Sequence, residues 1–102
     1  MKIATFYIGL NDKDSKRQEI GTIDAAKIIK RILCGFFEGA TISEAEGIFT
    51  HENGATVIEK TIRAEIFDPA EAKVKKAAEQ LKKALNQESI AVKIESVDVR
   101  FI

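Results

Sequence analysis

The chain has 102 residues, 45% of them hydrophobic, one cysteine, and sixteen basic side chains against sixteen acidic ones. That length builds one domain with its own core, and the cancelled charge excludes the long-range field by which strongly basic proteins gather nucleic acid or anionic membrane. The single Cys34 excludes an intrachain disulfide, and no segment approaches the roughly 18 consecutive apolar residues that cross a bilayer, so a soluble cytoplasmic protein is expected.

From Lys2 to Leu10, residues Ala4, Phe6, Ile8 and Leu10 alternate with Ile3, Thr5, Tyr7 and Gly9. This predicts a first strand with one apolar and one mixed face; the run is too short for a signal peptide and has no small-residue cleavage site. Asn11 to Gly21 has charges of both signs and no hydrophobic period, which predicts a surface loop. Its length makes it a candidate for function. A helix is predicted from an N-cap at Thr22 to about Glu38, with Ile29, Ile32, Leu33, Phe36 and Phe37 as its buried stripe and a left-handed stop at Gly39. Cys34 falls within it and is expected to be a buried, inert thiol.

A second strand follows from Ala40 to Thr50, then Asn53-Gly54, a strong signal for a two-residue hairpin turn. Such a turn sets Phe49 opposite Ile58, Ala45 opposite Ile62 and Glu44 opposite Arg63, in a third strand from Thr56 to Phe67. Asp68-Pro69-Ala70-Glu71 reads as a cap, a proline at the first helical position and a first-turn carboxylate. The helix it opens buries Val74, Ala77, Ala78, Leu81 and Leu85; its five lysines are expected on a solvated face, offset by Glu71 to Lys75 and Glu79 to Lys83 pairs. The last strand, Ser89 to about Phe101, changes phase midway, which predicts a bulge near Glu95-Ser96. The order β-α-β-β-α-β predicts an α+β, ferredoxin-like domain: a four-stranded antiparallel sheet with two helices on one face.

Several short stretches carry a resemblance. Tyr7-Ile8-Gly9-Leu10, Phe37-Glu38-Gly39-Ala40-Thr41, Ala45-Glu46-Gly47-Ile48-Phe49, Glu59 and Gln87-Glu88-Ser89-Ile90 together resemble an uncharacterised bacterial family of small proteins known only as a domain of unknown function. Phe49 stands where that family tends to have tryptophan, and many of its members look exported. The resemblance implies a fold and no activity. Gln87-Glu88-Ser89 also suits a plain structural task, satisfying free backbone groups where the second helix meets the last strand.

Catalytic chemistry is sparse. A nucleophile and base pair would require Cys34 or a serine beside the only histidine, His51, which sits two residues before the hairpin turn and is expected to be exposed. One histidine and one cysteine do not make a zinc set, and Asp12 with Asp14 lacks the rest of a calcium loop. No glycine-rich phosphate cradle is present, so no cofactor or metal is expected. Phe6-Tyr7-Ile8-Gly9-Leu10 is similar to an RNA-recognition strand motif, but the third strand offers Glu59, Thr61, Arg63 and Glu65 where stacking aromatics would be needed. Nucleic acid is therefore not expected as a partner.

The uncovered sheet face remains, with Tyr7 and Thr5 near Thr61, Arg63 and Glu65, flanked by Glu44, Glu46, Ile42 and Ile48. Its apolar part, Tyr7, Ile42 and Ile48, predicts an interface between copies. Lys16 and Arg17 precede the positive end of the first helix, where an anionic small molecule would be held with help from Tyr7 or Arg63. The leading expectation is a non-enzymatic, self-associating module that binds such a ligand or a protein partner, as a phage or mobile-element accessory protein would. The alternative is a small dimeric enzyme with Tyr7 and Glu59 or Glu65 as acid and base.

Overall fold

The computed structural model describes residues 1–50 and 52–102; the expected exposure of His51 lies outside the described residues. The elements are β1 (Lys2–Gly9), α1 (Thr22–Phe36), β2 (Thr41–Thr50), β3 (Thr56–Phe67), α2 (Glu71–Ala84) and β4 (Ala91–Ser96). One antiparallel sheet has the order β2-β3-β1-β4, the ferredoxin-like topology expected from the patterns. Central β1 sends Ala4, Phe6 and Ile8 toward the helices, joined by Leu10, and β3 sends Ile62, Ala64 and Ile66 to the same side. Ala25, Ile29 and Leu33 of α1 and Val74, Ala77 and Leu81 of α2 close over them. These helical positions recur every three or four residues, so each helix offers one stripe to the sheet.

The hairpin departs from the expected register by one residue. Phe49 lies opposite Val57, Ile48 opposite Ile58, Ala45 opposite Thr61 and Glu44 opposite Ile62. The cause is the turn: only Gly54 has positive φ, at 83°, whereas a type I′ turn needs it at both central residues. Asn53 instead uses its side-chain oxygen to accept a hydrogen bond from the Ala55 N–H at 3.0 Å. A one-residue shift turns every β2 side chain to the other face. Ile42, Glu44, Glu46 and Ile48 therefore point to the helix side, and Thr41, Ser43, Ala45, Gly47 and Phe49 to the open side. Gly54→Val should cost about 1–2 kcal/mol, since a branched side chain resists the left-handed region; unchanged urea denaturation would contradict this turn.

The helix ends also differ in detail. α1 is preceded by Gly21, while Thr22 accepts a hydrogen bond from the Gln18 side chain, and it stops at Phe37, which is extended and packs against Phe6 and Phe36. Gly39 is not left-handed. Asp68 does not cap α2: its own φ is +51° and its N–H donates to the Lys2 carbonyl at 2.7 Å. Glu71 pairs with Lys2 rather than Lys75. β4 ends where a bulge was expected, at Ser96, after which Val97 donates to the Met1 carbonyl and Phe101 packs edge-on against Phe67. Cys34 is exposed, because it lies one step around the helix from Leu33 and thus outside the Ala25, Ile29, Leu33 stripe.

β1 pairs with β3 only as far as Gly9 opposite Thr61, whereas β2 and β3 continue to Thr50 opposite Thr56. The outer part of the hairpin is thus a two-stranded arm. Two-stranded ribbons are marginal on their own, and this one leaves Ile48 and Ile58 66% and 63% exposed on one face and Phe49 52% exposed on the other.

Candidate functional site

On the open face, one row across the strands holds Ser43, Arg63 and Tyr7, and the next holds Ala45, Thr61 and Gly9. Gly47 lies beside Glu59 in the row after that. Small residues therefore floor a shallow trough. The Phe49 ring lies over Gly47, where a Cβ would meet its Cζ at 3.2 Å.

Glu59 leans from β3 across the end of β1. A Cβ on Gly9 would meet its carboxyl carbon and Oε1 at 2.5 Å, so the absence of a side chain at Gly9 gives the carboxylate its place. Its Oε2 accepts a hydrogen bond from the Asn11 N–H at 2.8 Å. The same Asn11 presents its carbonyl to Gln87, a buried side chain whose Nε2 donates to it at 2.8 Å and to the Leu85 carbonyl at 3.3 Å. Gln87 thus satisfies backbone groups, as expected, and through the Asn11 peptide it also fixes the donor that holds Glu59. One glutamate oxygen accepts from Asn11, and the other, Oε1, lies over Gly9 without a hydrogen bond among the described residues.

Two cations, each with a glutamate partner, surround Tyr7 at the opposite end. Tyr7 has the Arg63 guanidinium 6.0 Å and the Lys93 ammonium 5.8 Å from its ring centre, both at cation–π range. Lys93 first, and then Arg63, pull the Tyr7 hydroxyl below the ordinary phenol value, against partial desolvation. Lys93 is raised by Tyr7 and then by Glu95, 3.7 Å away. Arg63 also lies 3.8 Å from Glu65. At the rise of a strand, the Tyr7 row stands about 13 Å from that of Asn11. The face thus holds the Glu59 carboxylate, without an ion pair among the described residues, at one end, and at the other two cations that each lie beside a glutamate of their own.

Of the residues singled out from the sequence, Tyr7 and Arg63 are cross-strand neighbours on this face. Ile42 is not on it; it packs against the core beneath β2. Ile48 lies on the helix side of the arm, exposed. Arg17 is bound to Glu19 at 2.8 Å, and Lys16 is an exposed turn residue with φ of 63°. Among the described residues no hydrogen bond or ion pair joins Lys16 or Arg17 to Tyr7 or Arg63. Asp24 already sits in the first turn of α1, where an anion would otherwise be favoured.

The 11–21 loop is tied down at its far side. Asn86 donates to Asp12 at 2.8 Å and to Asp14 at 2.9 Å, and Asp12 also accepts from the Asp14 and Ser15 N–H groups. Asn86 first, then those backbone donors, hold the Asp12 carboxyl below its ordinary value of 3.8. A lowered folded-state value stabilises the loop above the unfolded-state value, and this stabilisation is lost as pH falls through the folded-state one. Acidification below the carboxylate range should shift the Asp14 and Ser15 amide resonances before those of the sheet. Amides that stay unchanged throughout would sever this link.

No protein-family model matches the chain, and no curated protein matches it in sequence. Solved structures do. A phage SAM lyase in its apo state has a TM-score of 0.68 at 25% identity, covering 92% of this chain and 78% of that one; the structure of a phage SAM lyase holding S-methyl-5'-thioadenosine gives 0.67 at 23%. CutA1 from Pyrococcus horikoshii OT3 gives 0.62 at 17%, over 99% and 87% of the two chains. A DUF3240 family protein from Shewanella baltica OS155 gives 0.57 at 13%, over 99% and 94%. The last agrees with the expected likeness to a domain of unknown function, at the level of fold. Together these neighbours establish a small ferredoxin-like domain. No helix among the described residues is long and apolar enough to cross a membrane.

Proposed function

We propose that this chain is a small enzyme that binds S-adenosylmethionine on the open face of its sheet and cleaves it to S-methyl-5'-thioadenosine. The observation that carries this reading is Glu59, held over Gly9 by the Asn11 N–H with its other oxygen left without a hydrogen bond among the described residues. The ligand is itself dipolar. Its sulfonium and ribose hydroxyls suit the Glu59 carboxylate, and its amino-acid carboxylate suits Arg63 and Lys93 beside Tyr7.

The chemistry also requires no nucleophile and base pair from the protein. As the arm's own carboxylate oxygen attacks the carbon bound to sulfur and closes a lactone, the carbon–sulfur bond breaks, its electron pair stays on sulfur and the leaving group departs as a neutral thioether. No proton has to be supplied to it. The protein's task is then to orient the arm and exclude competing water. Likeness to a phage SAM lyase at 25% identity supports this choice of substrate, and it is in keeping with an accessory role in a phage or mobile element.

The trough is open to solvent in one chain, and the arm beyond it exposes Ile48, Phe49 and Ile58. Those residues are better placed against a second copy than in water. The working unit in this reading is a homo-oligomer in which a neighbouring copy covers the face around Tyr7.

Incubation with S-adenosylmethionine, followed by chromatography, should yield S-methyl-5'-thioadenosine, and light scattering should give more than one chain per particle. Binding by calorimetry without product would return the non-enzymatic, ligand-holding reading, which the exposed trough also favours. Neither binding nor product would remove both.

A further inference from the structure

A second surface lies on the opposite side of the molecule. A groove of about 540 Å³ runs along α2, lined by Lys76, Lys82 and Lys83 with Lys13 from the 11–21 loop, and by Phe36 at the end of α1. Glu79 is the acid in that lining. Among the described residues none of the five α2 lysines forms an ion pair, so the expected offset by Glu71 and Glu79 is not made. The balancing acids are elsewhere: residues 32–59 contain five glutamates and no lysine or arginine. A net charge of zero thus conceals a local cationic groove with one aromatic wall.

We propose that this groove binds a small ligand bearing a chain of phosphates, of the nucleoside polyphosphate class. Lys76 and Lys83 are seven residues apart on one helix face, which spaces them by about 10 Å along the axis. Lys13 extends the row beyond the helix end, where its own N–H is bound to the Asn86 carbonyl at 3.0 Å. A flexible phosphate chain can follow such a row. The half-buried Phe36 ring supplies a face for a base. This places the anionic ligand expected from the sequence at α2 rather than beside Lys16 and Arg17.

The test is calorimetric titration of the intact chain with inorganic tripolyphosphate and with ATP, at low and at raised salt. ATP should bind more tightly than tripolyphosphate, and salt should weaken both. Replacing Lys76 and Lys83 together by glutamine, a good helix former, should weaken ATP binding about tenfold or more, as loss of two charge-assisted contacts implies. Replacing Lys73 and Lys75 together by glutamine removes the same two charges outside the groove and should change affinity less than twofold. Equal loss in both variants would mean a general charge effect and would overturn the site. Absence of binding to either probe, or a single-stranded oligonucleotide binding far more tightly than ATP with affinity rising with its length, would overturn it as well. Glu59→Gln should leave ATP binding intact, so failure here and failure of the sheet-face reading are separable.

Discussion

Glu59→Gln is expected to lower kcat/KM for S-adenosylmethionine by on the order of 10–10²-fold, mainly through a higher KM, because the sulfonium charge that the carboxylate attracts is already present in the bound substrate and fades as the carbon–sulfur bond breaks. The substitution keeps the shape and reverses the polarity. The Asn11 N–H, fixed at 2.8 Å, requires an acceptor, so the amide of glutamine must give it its oxygen. Its NH₂ group then takes the place of Oε1 over Gly9 and repels a sulfonium where a carboxylate had attracted it. Gly9→Ala offers the complementary experiment, since its Cβ would stand 2.5 Å from the carboxyl carbon and displace the end of a flexible side chain. Activity should fall while urea stability stays near wild type. Full activity in both variants would show that the chemistry lies elsewhere.

Phe6→Ala should have the largest effect on stability. Phe6 is fully buried on the central strand, between Ala64 of β3 and Val92 of β4, with its ring 6.2 Å from that of Phe37. Truncation removes the ring and leaves a cavity that β1, paired on both edges, has little freedom to close. The expected cost is about 3–5 kcal/mol, a large share of the roughly 5–15 kcal/mol available to a domain. The urea midpoint should fall steeply with an unchanged slope; a loss below about 1 kcal/mol would place the centre of the core elsewhere.

The order of elements was legible because periodicity is local. Ala4, Phe6 and Ile8 or Ala25, Ile29 and Leu33 announce their faces within a few residues. Register was not legible, because Asn53-Gly54 is compatible with more than one turn, and the choice depends on whether Asn53 takes positive φ or caps Ala55 with its side chain. Helix ends failed for a related reason: the Asp68 N–H is claimed by Lys2, 66 positions earlier in the chain.

The candidate site was half visible. Tyr7 and Arg63 could be paired from strand order, and Glu59 was noticed as a member of a resemblance and as a possible acid or base. What was missed is the clamp, in which Gly9 gives room, Asn11 holds Glu59 and Gln87 holds Asn11. Its contacts span 48 and 76 residues of sequence. The signal was present in part, as a glycine ending an otherwise apolar strand just before an unusually long loop.

The five residues between Thr50 and Thr56 have a consequence for how this protein can vary. Strand side chains alternate with a period of two, so the parity of that connection decides which β2 residues see the helices and which see the trough. Removing one residue there would bring Glu44 and Glu46 onto the open face and turn Gly47 and Phe49 away, altering the candidate site without touching Tyr7, Gly9, Glu59 or Arg63. Removing or adding two would leave every face as it is. Length change at the tip of the arm is therefore expected among descendants of this chain in steps of two, and a single-residue deletion should be the rarer event even though the tip itself is exposed.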